Sequence, residues 1–284
     1  MSNKLRIVLP QWQGGMNPNY RLGAKLLNAL VPESNQTETL EIPVSKEEHQ
    51  NNGVVDEEKT LLSQMETTFD TLTVKNPNKV ITLGGDCSIS EAPFDYLHGK
   101  YPDDFGMIWL DAHPDISNPT TSSHIHEMVA ANLIHKGAKH FNEQVKNPID
   151  PKHVLFAGLK YDDLRPMDNL VKDLNMSYVV PEKLKKDSSP VLDWINSNNI
   201  KHIAIHLDLD VLDPDDFRAI LPAEIGLDRS KFGAAIGSMK LAEMIRLLKD
   251  VENNTDLVGL SIAEHMPWDD INLHNGLSEL AIFD

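Results

Sequence analysis

Four short runs hold the residue types best suited to chemistry. They are Gly84-Gly85-Asp86-Cys87-Ser88, Asp111-Ala112-His113-Pro114-Asp115, His206-Leu207-Asp208-Leu209-Asp210-Val211-Leu212-Asp213-Pro214, and Ser261-Ile262-Ala263-Glu264. Along an extended chain, residues at i, i+2 and i+4 point the same way. Asp111, His113 and Asp115 can therefore converge at one sheet edge, and Asp208 with Asp210 likewise. Four carboxylates and one imidazole facing one volume repel one another unless cations intervene. Mostly oxygen donors with a little nitrogen favour a hard divalent ion such as Mn²⁺, and the carboxylates suffice to bridge two ions. Either run alone also reads as a solvated turn, with Pro214 ending a strand. Together they predict a metal site, because both close apolar strands where unpaired carboxylates are expensive.

The elements that must position these residues alternate along the chain. Apolar runs at Leu5–Leu9, Leu40–Val44, Val80–Leu83, Met107–Leu110, His153–Gly158, Tyr178–Val180, His202–Leu209 and Leu257–Ile262 read as strands. Several are apolar at consecutive positions, as strands covered on both faces are. Helical spacing marks Tyr20–Leu30, Val55–Val74, Ile125–Lys136, Asp163–Leu174, Val191–Asn196 and Lys240–Val251. The alternation predicts one parallel sheet with helices on both faces, and ligands beyond the carboxyl ends of its strands. Each chemical run falls at such an end. The polar stretch Ser45–Gly53 reads as an exposed loop leading into a helix.

Composition narrows the function class. The 284 residues carry 26 basic and 43 acidic side chains, a net charge of −17. Such a surface repels phosphate backbones and anionic lipid headgroups, so neither nucleic acid nor membrane is an expected partner; cations and cationic small molecules are. No apolar stretch approaches the roughly 20 residues of a membrane span. The N-terminus lacks a long apolar h-region, so no secretory leader is expected. The single cysteine, Cys87, leaves no intramolecular disulfide and suits a reducing, cytoplasmic setting.

Gly-Gly-Asp-Cys-Ser (84–88), Asp-Ala-His-Pro-Asp (111–115) and His-Leu-Asp-Leu-Asp-Val-Leu-Asp-Pro (206–214) resemble, in order, the three signatures of the ureohydrolase (arginase/agmatinase) family. The resemblance runs from the Gln11–Gly15 loop to Glu264. It implies a single α/β/α domain over 1–284 with a mostly parallel eight-stranded sheet, and hydrolysis of C–N bonds in linear amidines using two Mn²⁺ ions that lower the pKa of a shared water. Asp111 and Asp208 would bridge both ions, Asp115 and Cys87 would complete the first, and His113 and Asp210 the second. His126 would pass a proton to the leaving amine, with Asp115 also taking part in catalysis. Glu264 would pair with the guanidinium, and Ser122, His124 and Asp163 would lie around the rest of the substrate. The family also implies a trimer or hexamer.

The departure is Cys87, where most members of the family have a histidine. Three readings of it stay open: ligation in an altered site, lining the site without ligating, or a buried bystander. A thiolate is softer than an imidazole and shifts metal preference away from Mn²⁺. Two functional readings follow. One is a urea-releasing amidinohydrolase of a guanidino compound such as arginine or N-hydroxyarginine. The other is a catalytically weak relative kept as an oligomeric small-molecule binder, or else a hydrolase of agmatine or formimidoyl compounds.

Overall fold

The computed structural model describes residues 3–47, 53–280 and 282. Of the loop expected at Ser45–Gly53, residues 48–52 lie outside the described residues. Eight strands form one sheet: β1 Lys4–Leu9, β2 Thr37–Glu41, β3 Lys79–Gly84, β4 Phe105–Leu110, β5 Val154–Ala157, β6 Ser177–Val179, β7 His202–Asp208 and β8 Asp256–Ala263. Every pairing is parallel, in the order β2-β1-β3-β8-β7-β4-β5-β6. All eight coincide with the apolar runs except that β2 starts three residues earlier than expected. Pro43 has no N–H to donate, so the ladder ends just before it, after Ile42 donates to Val8.

Strand alternation divides the core into two. Phe105, Met107 and Trp109 of β4, with Val154 and Phe156 of β5, pack on one side with Phe94 and Leu97 of helix Glu91–Lys100. Ile108, Leu110, Leu155 and Ala157 face the other side and meet Trp194 and Ile195 of helix Ser189–Ser197 and Leu247 of helix Leu241–Asn254. Both faces of the sheet are therefore covered, which makes three layers. Among the described residues no helix is long and apolar enough to cross a membrane.

Some helices differ from expectation. The helix expected over Ile125–Lys136 is a 3₁₀ turn at Ile125–Met128 followed by Val129–Leu133, ending before His135 takes a left-handed φ of 59°. The one expected over Asp163–Leu174 is broken by Pro166 into two 3₁₀ turns and the short helix Leu170–Asp173. Helix Glu91–Lys100 was not among the expected helices, and it contains Pro93. That proline sits in the first turn, where no intrahelical partner is needed.

Glu91 opens that helix, fully buried, with Oε2 accepting from Asn132 at 3.0 Å and Oε1 unpartnered. Burial pushes its carboxyl from 4.5 up to about 8, against the pull of the Asn132 hydrogen bond. From pH 4.5 to 8 the unfolded chain is thus ionised while the folded protein keeps the proton. Glu91 consequently removes stability as pH rises through that window. In metal-free protein, Glu91→Gln should gain stability over the parent between pH 5 and pH 8, by on the order of a few kcal/mol. Urea denaturation at both pH values measures this, and a pH-independent difference would refute it.

Candidate metal centre

The four motif-bearing strands, β3, β8, β7 and β4, are consecutive in the sheet. Their carboxyl ends therefore open onto one place. Leu110 pairs with Leu207 and Asp208 with Ala263, so Asp111 and Asp208 leave adjacent strands at one level. The turn after β3 is held by backbone contacts: Gly85 N–H donates to Leu9, Asp86 N–H to Gln11, and Glu264 N–H to Gly85 at 2.7 Å. A Cβ on Gly85 would lie 1.6 Å from the Gln11 carbonyl oxygen, so only glycine permits this approach. The buried Asp86 carboxylate then accepts from the amides of Gly14 (2.9 Å), Gly15 (3.3 Å) and Ser88 (3.0 Å), and from the Ser88 hydroxyl. Gly14 in turn accepts from His126 Nδ1 at 2.8 Å, which leaves Nε2 free.

The charged groups are close and dry. Asp111 Oδ1 accepts from the His113 amide at 2.7 Å and Oδ2 from Trp109 Nε1 at 3.1 Å, fixing the carboxylate plane. His113 Nε2 donates to Ala235 at 3.0 Å and turns Nδ1 towards Asp210 (3.2 Å) and Asp111 (3.4 Å). Cys87 Sγ lies 3.0 Å from Asp208 Oδ2 and 3.5 Å from Glu264 Oε1. Burial, then neighbouring carboxylates, push Asp111 up to about 6, Glu264 up to about 8, and Asp115 and Asp208 well above the usual range. Burial and the same carboxylates hold the Cys87 thiol protonated. Asp210 is the exception: burial would raise it, but His113 brings it below the ordinary value.

These donors suit divalent cations. Three groups each place one ligand atom per residue within 4.8 Å of the others: Cys87, Asp111, His206 and Asp208; Asp111, His113 and Asp210; and Asp208, Asp210 and Glu264. Asp111, Asp208 and Asp210 belong to more than one group, as bridging residues would. Asp115 Oδ2 and Asp210 Oδ1 are buried without a hydrogen-bond partner. Two of the site residues are also held in the left-handed region, Asp115 at φ 43° and Glu264 at φ 61°.

A cavity of about 220 Å³ opens over the cluster, lined by Cys87, His113, Asp115, Asp208, Asp210 and Glu264 on one side and by His124, His126, Glu127 and Arg165 on another. Nearly every expected site residue thus meets here. Asp115 lines the cavity but joins none of the three groups. Ser122 stands behind the wall, donating to Glu127 at 2.6 Å and accepting from the His124 amide. Asp163 does not face the cavity: it is 57% exposed and lies 3.9 Å from Lys160. Several lining residues carried no sequence signal, Tyr20 and Arg165 among them. Tyr20 merely opens a helix, and Arg165 sits beside Pro166, its guanidinium held by Glu127 at 2.9 Å and Asp168 at 3.1 Å. A third residue, His206, does carry a signal: it precedes Asp208 by two positions in the strand, which puts both on one face. A larger cavity of about 540 Å³, beside Phe69 and Tyr96, lies away from these strand ends.

The Arginase family profile matches residues 21–277. The arginase of Staphylococcus aureus (strain COL) is 29% identical over 147 residues, 50% of this chain and 48% of that protein. The arginase of Entamoeba histolytica is 26% identical over 183 residues, 61% of this chain and 62% of that one. The chain spans about half the length of the first curated relatives it matches. Among solved structures, the E. histolytica arginase in complex with L-ornithine superposes with a TM-score of 0.78 at 20% identity, over 94% of this chain and 92% of that one. The formimidoylglutamase of Bacillus subtilis gives 0.68 at 16% identity, over 94% and 80%. At these identities the structural likeness is one of fold, whereas the profile takes in all four motif-bearing strand ends. The chain belongs to the Arginase family.

Proposed function

We propose that this protein is a metal-dependent amidinohydrolase that releases urea, or a urea analogue, from a small cationic guanidino compound such as arginine or N-hydroxyarginine. The observation that carries the reading is the convergence of Cys87, Asp111, His113, Asp208, Asp210 and Glu264 at the ends of four adjacent strands, beneath one small cavity. Asp111 and Asp208 would be the shared ligands of two ions, with His113 and Asp210 available to one and Cys87 and Asp115 to the other. Two divalent ions held there, Mn²⁺ in the simplest case, would supply Lewis acidity and an acidified water.

The remaining chemistry belongs to the chain itself. Glu264, at the cavity wall, balances the guanidinium of the substrate. Its own elevated pKa falls as the cation arrives, so binding and ionisation reinforce each other. Burial keeps the His126 imidazole below its ordinary value despite Glu127 and Asp86 nearby, so it is neutral at pH 7. With Nδ1–H given to Gly14, its Nε2 can take a proton from the attacking water and deliver it to the leaving nitrogen. Water oxygen becomes the urea oxygen, the C–N bond to the substrate's chain breaks, and the amine departs protonated. His124 and the Arg165–Glu127 pair form the polar wall for the substrate's far end.

Three outcomes are expected. After loading with Mn²⁺, the full chain should release urea from at least one member of a panel of arginine, N-hydroxyarginine, agmatine and formimidoyl compounds. No C–N cleavage across the panel would leave the small-molecule-binding relative as the better description. Elemental analysis should show that Asp208→Ala loses both ions while His113→Ala loses one; equal metal content in Asp208→Ala and the parent would overturn the bridging role. His126→Ala should lower kcat about 10²- to 10⁴-fold with metal content unchanged, and undiminished turnover would remove His126 from the mechanism. The oligomer, a trimer or hexamer on this reading, is measured by light scattering.

A further inference from the structure

His206 has no part in the reading above, yet it is placed as a ligand would be. Trp109 pairs with His206, and His206 is followed across the sheet by Ser261 and Thr82. That row lies directly beneath the level at which Asp111 and Asp208 leave their strands. The His206 ring is fully buried and stacked on Trp109, with centroids 3.7 Å apart and planes 16° apart. Nδ1 lies 2.7 Å from the Ser90 hydroxyl. Among the described residues Nε2 has no hydrogen-bond partner, and it lies 4.0 Å from Asp111 Oδ2. A buried ring nitrogen left unpaired is costly, and this one is aimed at a cluster of acids.

We propose that His206 Nε2 is a ligand of the ion held by Cys87, Asp111 and Asp208, so that this ion takes its imidazole from the sheet beneath the site. The inference rests on the metal-dependent reading above. The four residues offer atoms within 4.8 Å of one another, all buried. In the tautomer in which Nδ1–H donates to Ser90 Oγ, the Nε2 lone pair is left for the metal, as outer hydrogen bonds arrange for metal-bound histidines. Stacking on Trp109 fixes the ring plane. One thiolate, one imidazole and two carboxylates make a softer donor set than Asp111, His113 and Asp210. The two positions therefore differ in preference, the first taking a borderline ion such as Zn²⁺, Fe²⁺ or Co²⁺ more readily than the second.

Cobalt(II) is the probe, because it reports stoichiometry by dialysis and thiolate ligation by its sulfur-to-metal charge-transfer absorption. The parent should bind two Co²⁺ ions and show that absorption. His206→Ala should weaken one ion by at least about 10²-fold and reduce the charge-transfer band, because the imidazole and Cys87 share an ion. Ser90→Ala, a positioning variant, should weaken the same ion by about 10- to 100-fold, which keeps the test open if His206→Ala does not fold. Cys87→His placed in the His206→Ala background should restore the weakened ion by supplying an imidazole from the turn after β3. A His206→Ala protein with parental stoichiometry, affinity and cobalt spectrum would overturn the inference alone. A parent that binds no Co²⁺ or Mn²⁺ would overturn the metal-dependent reading and this inference with it.

Discussion

Mutual repulsion among Asp111, Asp115, Asp208 and Glu264 in a dry pocket is the interaction the rest of the structure must oppose. Each is buried, and each has its carboxyl pushed upward by burial and by neighbouring acids. No local device could hold such a cluster; it takes a parallel sheet whose central strands end side by side. The order β3-β8-β7-β4 supplies this by bringing together segments that lie far apart in sequence. The flanking strands and helices then cover both faces of the sheet, so the acids are fixed by a core larger than the site they form.

Around that constraint the supporting contacts converge on backbone atoms. Gly85 permits the Gln11 loop to approach, Asp86 gathers the amides of Gly14, Gly15 and Ser88, and Gly14 holds His126. The His126 imidazole from one loop is thereby registered against the acidic cluster at the strand ends. The carboxylates are restrained in the same manner, with Asp111 held by Trp109 and by its own loop's amide, and Asp208 by the amide of Asp210. Little reorganisation is needed when a cation enters, because the donors already face inward.

Much of this was legible in the sequence, and what was not has physical causes. Continuous apolar runs bounded by polar segments marked all eight strands, and alternation with helices gave the parallel arrangement. The strand order was not readable, because apolar strands buried on both faces carry no label for their neighbours. The two-residue period placed Asp111, His113, Asp208 and Asp210 on one face. The same rule reaches His206 when counted backwards from Asp208, but a histidine inside an apolar run reads as core. Asp163 was placed near the substrate by resemblance alone; in the structure it sits in a 3₁₀ turn away from the cavity lining, which Arg165, just before Pro166, joins instead. Such short-range turn geometry depends on tertiary packing and leaves little trace in spacing.

The left-handed backbone at Asp115 and Glu264 has an evolutionary side. For a side chain with a Cβ, that conformation costs on the order of 1 kcal/mol or more, least for aspartate and more for glutamate. Glycine at either position would relax the torsion and remove one buried acid from a crowded pocket. Both changes favour the fold. A library of this protein screened only for expression or heat resistance would therefore enrich glycine at both positions. The two carboxylates can persist in a lineage only while something other than stability selects for them.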